Sequence, residues 1–252
     1  MVNIKKERMK IYVLDNGRMQ MDKNLMIANS NQATLDNPNK ENELHEFPIY
    51  TVFIDHPDAK ILFDTACNPN SMGEEGRWIN ATQKAFPYFS DESCHLPNRL
   101  EQLGVDPKDV DIVVASHLHL DHAGCLEYFT NATVIVHDDE FSGAMKCYAR
   151  NQQEGAYIWS DIDAWIKSDL TWQTIARDQA HLNLVDGVKV LNFGSGHAWG
   201  MISPGITSIN QPSKLIGETV AASLNQILNG KPLEKIDIPN IIKSKIHWRN
   251  SL

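Results

Sequence analysis

The apolar positions of this chain come in short β-type runs separated by turn residues. Lys10 to Leu14, Ile49 to Ile54, Ile61 to Phe63, Val110 to Ala115, Thr133 to Val136 and Val188 to Leu191 read as strands. The turn residues His56-Pro57-Asp58-Ala59 join the second and third runs, which predicts a hairpin. Pro97 to Leu103, closed by Gly104, predicts a short helix with a glycine stop. Asp138 to Ala149 predicts another, and a third is expected to open near Asp121 and carry Leu126, Tyr128 and Phe129. Asn16 to Leu44 reads as a polar loop and Pro69 to Ser93 as irregular. Strands alternating with helices predict layered α/β packing.

Two stretches leave alternatives open. Tyr157, Trp159, Trp165 and Trp172 fit either the wall of a substrate pocket or one face of a packed helix. Leu215, Ile216, Val220, Leu224, Ile227 and Leu228 recur at helical spacing, with Pro212 before them and Gly230 after. The 212–228 helix this predicts has an apolar face that is expected to dock onto the core, drive self-association or stay loosely ordered.

The densest chemistry follows the fourth run. Ser116-His117-Leu118-His119-Leu120-Asp121-His122 holds three imidazoles and a carboxylate at the mouth of a strand. Borderline-soft zinc takes such nitrogen and oxygen donors. If the backbone stays extended, His117 and His119 point to one side. Asp121 and His122 come after the chain turns and reach a nearby position. A metal there makes a hydroxide nucleophile from water near neutral pH, which points to hydrolysis. His197, between Gly196 and Ala198, is the best distant ligand, because the glycines around it permit a tight turn.

These residues resemble the metallo-β-lactamase superfamily, and most of all its N-acyl-homoserine lactonase branch. The resemblance runs from about Lys10 to Met201. It is carried by Ile61-Leu62-Phe63-Asp64-Thr65-Ala66, by the His117 to His122 motif, and by Gly196-His197. It implies an αββα sandwich and a zinc-dependent hydrolase that opens lactone rings. It also implies that His117, His119 and His197 bind a first zinc, and Asp121 and His122 a second. Asp64 is expected to orient a ligand imidazole, with strand-end capping as its plainer role. The family pattern then needs a bridging Asp, a last His and a carbonyl-polarising Tyr. After Met201 only Asp237 and His247 remain, in unsuitable surroundings, and no Tyr follows Tyr157. The sandwich is therefore expected to be incomplete in its C-terminal half. One zinc is expected to be firmly bound, with Asp121 as the catalytic base and turnover low.

The tail resembles the C-terminal end of sugar-binding domains in lactose-repressor-type regulators, through Ser208 to Pro212, Asn229 to Pro232 and Ile236 to Ile242. The division expected is a hydrolase domain over 1–203 and an unrelated appendage over 204–252. Rival readings are another ester or thioester hydrolase of the superfamily, or a non-catalytic metal-binding fusion product.

Composition narrows the partners. At 42% apolar residues the chain can bury a core. A net charge of −9 argues against nucleic acid, whose phosphates call for Lys and Arg patches. No apolar run is long enough to span a bilayer. Four widely spaced cysteines read as free thiols in a reducing compartment, so the cytoplasm is the expected location.

Overall fold

The computed structural model describes residues 9–27, 32–151, 156–176, 179, 181–191, 208–210, 222, 225–226, 229 and 245–247. The chain divides into two compact units, Met1–Ile175 and Ala176–Leu252. The boundary expected near residue 203 falls outside the described residues.

The first unit is built on a seven-stranded mixed sheet. Its strands are β1 (Lys10–Asp22), β2 (Leu44–His56), β3 (Ala59–Phe63), β4 (Tyr88–Phe89), β5 (Ile112–Val114), β6 (Thr133–His137) and β7 (Thr171–Ile175), in the order β4-β1-β2-β3-β5-β6-β7. The predicted hairpin is present: β2 and β3 pair antiparallel, with His56 opposite Ala59. From β3 onward the neighbours β5, β6 and β7 run parallel. Their C-terminal ends therefore lie along one edge, where ligands of parallel sheets are bound.

Register explains the burial. Phe53 faces Leu62, Leu62 faces Val113, Val113 faces Val134 and Val134 faces Trp172. This row packs with Leu96 and Leu100 of α3 (Leu96–Gln102), Ala144 of α4 (Asp138–Ala149), and Ile162 and Trp165 of α5 (Trp159–Lys167). The alternate rows lie on the opposite face, because side chains alternate along a strand. There Ile11, Val13, Tyr50 and Phe63 are 59%, 70%, 57% and 39% exposed, an apolar strip across three strands. A second cluster gathers Met19, Ile49, Trp78, Tyr88, Leu120 and Ile158.

The structure corrects several sequence expectations. Asn16 and Gly17 do not end the first strand. They form a bulge where the β1–β2 register shifts between Asp15 and Arg18, with Gly17 at φ +100°. The Asn16 side chain accepts from Thr51 Oγ1 and donates to the Cys94 carbonyl, so turn chemistry serves a continuing strand. The segment 16–44 holds the rest of β1 and α1 (Lys23–Met26), and the segment 69–93 holds α2 (Asn80–Ala85) and β4. No α-helix opens at Asp121. Gly124 N–H bonds Ala66 O instead of a carbonyl in its own segment, and only a single 3-10 turn, Leu126–Tyr128, follows.

The aromatic stretch is mainly core. Trp165 is fully buried, and Phe141, Trp165 and Trp172 pack together. Tyr157 meets the histidine motif, with its ring edge-on to His119.

In the second unit β8 (His181–Val185) pairs with β9 (Val188–Leu191), and β10 (Ser208–Asn210) pairs with β11 (Lys245–His247). Most of the 212–228 run lies outside the described residues.

Candidate metal centre

Parallel pairing of β3 with β5 brings Asp64 beside Ser116, since each follows its strand by one or two residues. Asp64 N–H donates to Val114 O at 2.9 Å, which prolongs the ladder past the strand. Asp64 and Ala66 then adopt φ of 60° and 55°, an uncommon conformation for residues with a Cβ. This turn presses the β3 loop onto the motif loop. Thr65 N–H donates to His122 O at 2.6 Å and Asn68 Nδ2 to Gly124 O at 2.8 Å. A Cβ on Gly124 would lie 2.3 Å from Asn68 N, so only glycine permits the approach.

On this frame the donor atoms of His117, Asp121 and His122 come within 4.8 Å of one another. His122 Nε2 lies 3.2 Å from Asp121 Oδ2, and His122 Nδ1 lies 2.8 Å from Asp64 Oδ2. Asp64 also accepts the Ser116 backbone N–H at 2.7 Å and its hydroxyl at 2.9 Å. With its proton committed to Asp64, Ser116 Oγ can accept from His117 Nδ1 at 3.0 Å. Both imidazoles then present Nε2. Fixing a ligand tautomer through its other nitrogen is the usual role of such partners.

Electrostatics agree with a cation site. Burial, helped by His122 and His119, pushes His117 down to about 4, leaving a neutral ring with a free lone pair. Burial also lowers His119. Burial works against charge on His122 too, but its hydrogen bonds to Asp121 and Asp64 win and raise it to about 10. Burial would raise Asp121, yet the His122 bond holds it below the usual carboxylate range. The Asp121–His122 pair thus shares a proton that a metal cation can replace. Two imidazoles and a carboxylate are donors zinc accepts, so the residues present fit such an ion.

The convergence differs from the extended-backbone expectation. The chain leaves the strand at Val114, and the tight set is His117, Asp121 and His122 rather than His117 with His119. The His119 ring stays close, with its centroid 4.5 Å from that of His117. His197 lies outside the described residues. Glu140 carries contacts at the site that no sequence pattern pointed to, and Tyr157, which the sequence left between pocket wall and core, lies with its ring 5.0 Å from that of His119.

Residues 45–138 match the metallo-beta-lactamase superfamily. The chain is 42% identical over 207 residues to N-acyl homoserine lactonase AiiB of Agrobacterium fabrum, covering 82% of this chain and 75% of that protein. The chain belongs to the metallo-beta-lactamase superfamily, in its N-acyl homoserine lactonase branch. Within that branch, AiiB of Rhizobium rhizogenes is 41% identical with the same coverage. AttM of Agrobacterium fabrum is 34% identical over 167 residues, 62% of this chain and 58% of that one. A solved N-acyl homoserine lactone hydrolase with N-hexanoyl-L-homoserine bound at its catalytic metal centre superposes with a TM-score of 0.55 at 24% identity. The match covers 72% of this chain and 64% of that one, and it shows the shared mixed α/β fold. Among the described residues no helix is long and apolar enough to cross a membrane.

Proposed function

We propose that this protein is a zinc-dependent hydrolase that opens the lactone ring of N-acyl-homoserine lactones. The observation that carries it is the convergence of His117, Asp121 and His122 within 4.8 Å, braced by Asp64, in a chain of the lactonase branch. His117, Asp121 and His122 would hold one zinc firmly, with His119 and His197 as the further ligands that the family resemblance implies. When bound, a zinc there would supply polarisation of the lactone carbonyl and a more acidic water. Asp121 takes the proton of the attacking water. The ring C–O bond breaks, and that proton passes to the departing alkoxide to give the hydroxy acid. Asp64 and Ser116 keep the imidazole tautomers fixed throughout.

Proton release from an N-acyl-homoserine lactone, beside a panel of simple esters and thioesters, tests the substrate class. Preferential turnover of the lactone supports the reading, and turnover confined to thioesters overturns it.

Residues 204–252 we read as an appendage to a hydrolase domain over 1–203. Limited proteolysis that cuts first near residue 203 supports this division; a first cut within residues 44–137 contradicts it. The free thiols of Cys67, Cys94, Cys125 and Cys147 fit the cytoplasm. Native disulfides found in protein isolated from its source would refute that placement.

A further inference from the structure

Glu140 reaches the metal loop from a different element. It lies in the first turn of α4, which leaves β6 beside the end of β5. Its Oε1 accepts two hydrogen bonds: the backbone N–H of Leu118 at 2.9 Å and the Tyr157 hydroxyl at 2.8 Å. Leu118 sits between His117 and His119, so this oxygen fixes the backbone that separates the two imidazoles. Tyr157 completes the arrangement, with its ring edge-on to His119 at 5.0 Å and 78° between planes. A Cβ built on Gly143 would stand 3.2 Å from the Tyr157 hydroxyl, so a bare position on α4 lets the phenol approach. The chain entering His119 and the ring flanking it are thus tied to a single carboxylate oxygen.

We propose that Glu140, through Leu118 and Tyr157, is a positioning residue that sets the orientation of His119 toward the metal. The inference rests on the reading of His119 as a ligand. Hydrogen bonds to an ionised acceptor are stronger than neutral ones. Two of them converging beside one imidazole restrict both its backbone and its ring. An acid in the first turn of a helix also favours the helix dipole. That plainer role predicts lost stability with unchanged metal binding, which separates the two.

Cobalt(II) is the probe, because its visible absorption reports ligand geometry. Its affinity and spectrum are measured in the wild type and in Glu140→Ala, Glu140→Gln, Tyr157→Phe and His119→Ala, each checked for fold by circular dichroism. Glu140→Ala is expected to weaken cobalt binding by roughly tenfold or more and to shift the spectrum. Glu140→Gln keeps a carbonyl acceptor without the charge and should fall between the wild type and Glu140→Ala. Tyr157→Phe keeps the ring but loses the hydroxyl, and should fall between. If His119→Ala leaves affinity and spectrum unchanged, the assignment of His119 as a ligand fails. If His119→Ala changes them while folded Glu140→Ala and Tyr157→Phe do not, the Glu140 inference is overturned and the ligand assignment stands. Glu140→Gln as impaired as Glu140→Ala also overturns it. If Glu140→Ala does not fold, Tyr157→Phe decides by the same criteria.

Discussion

Asp64 Oδ2 lies 2.8 Å from His122 Nδ1, while the other Asp64 oxygen accepts the Ser116 backbone N–H at 2.7 Å. One buried carboxylate therefore sets the proton position on a ligand imidazole and the start of the loop that carries it. Asp64→Asn keeps the shape and tolerates the left-handed backbone. Its amide, turned toward His122, would favour the opposite tautomer. Zinc affinity should fall roughly 10–100-fold, read by competition with a chelator. Wild-type affinity in Asp64→Asn would falsify the bracing role.

Gly124→Ala tests the pressed loops. A Cβ there meets Asn68 N at 2.3 Å, Cys67 C at 2.7 Å and Ala66 O at 2.8 Å, all backbone atoms that cannot swing aside. Overpacking of this kind costs about 1–3 kcal/mol or more. Thermal unfolding should shift down, and zinc affinity should fall with it, since Thr65 N–H and Asn68 Nδ2 hold the same loop. An unchanged Tm and zinc affinity would contradict the close approach.

Stability should also depend on Asp161. Burial raises its carboxyl to about 7 despite Arg77, whose guanidinium lies 3.4 Å away. Glu127, which Arg77 grips at 2.6 and 2.8 Å, adds to the rise, and the Trp78 indole opposes it. The folded chain then keeps a proton that the unfolded chain has released between 3.8 and about 7. Stability from this group is present at the acid end of that window and is lost as pH rises through it. The slope is at most about 1.4 kcal/mol per pH unit. Denaturant unfolding across the window should show this slope in the wild type and a flatter profile in Asp161→Asn. Parallel profiles would exclude the effect.

The outer strip of the sheet makes a surface prediction. Ile11 and Val13 are well exposed on β1, on the same sheet face as Tyr50 of β2 and Phe63 of β3. Contiguous apolar surface of this kind promotes association. The double change Ile11→Thr and Val13→Thr keeps β-branched residues on the strand. It should lower binding of a hydrophobic dye and raise solubility, with zinc content unchanged. Dye binding equal to that of the wild type would show that the strip is not exposed in solution.

The sequence carried much of this in local signals. The β2–β3 hairpin follows from alternation and a Pro-Asp turn, and α4 begins where the acidic first turn Asp138-Asp139-Glu140 marks it. The donor set was legible because the motif is compact. What stayed hidden depends on residues far apart in the chain. Gly124 matters through Asn68, and Glu140 through Leu118 and Tyr157, and neither pairing leaves a periodic trace. The choice of His122 over His119 as close partner of His117 was hidden for another reason. It follows from where the backbone stops being extended, after Val114, and from the turn in which His122 N–H and Ala123 N–H both bond His119 O.

The most direct test counts zinc and lactone turnover in the same preparations of the wild type, His117→Ala and chelator-stripped protein. The wild type should hold about one zinc per chain, the number a single three-ligand site accepts, and should open an N-acyl-homoserine lactone. His117→Ala and the stripped protein should lose both together, with turnover returning only to the stripped wild type when zinc is restored. Lactone opening that persists without zinc, or in zinc-free His117→Ala, would contradict the account.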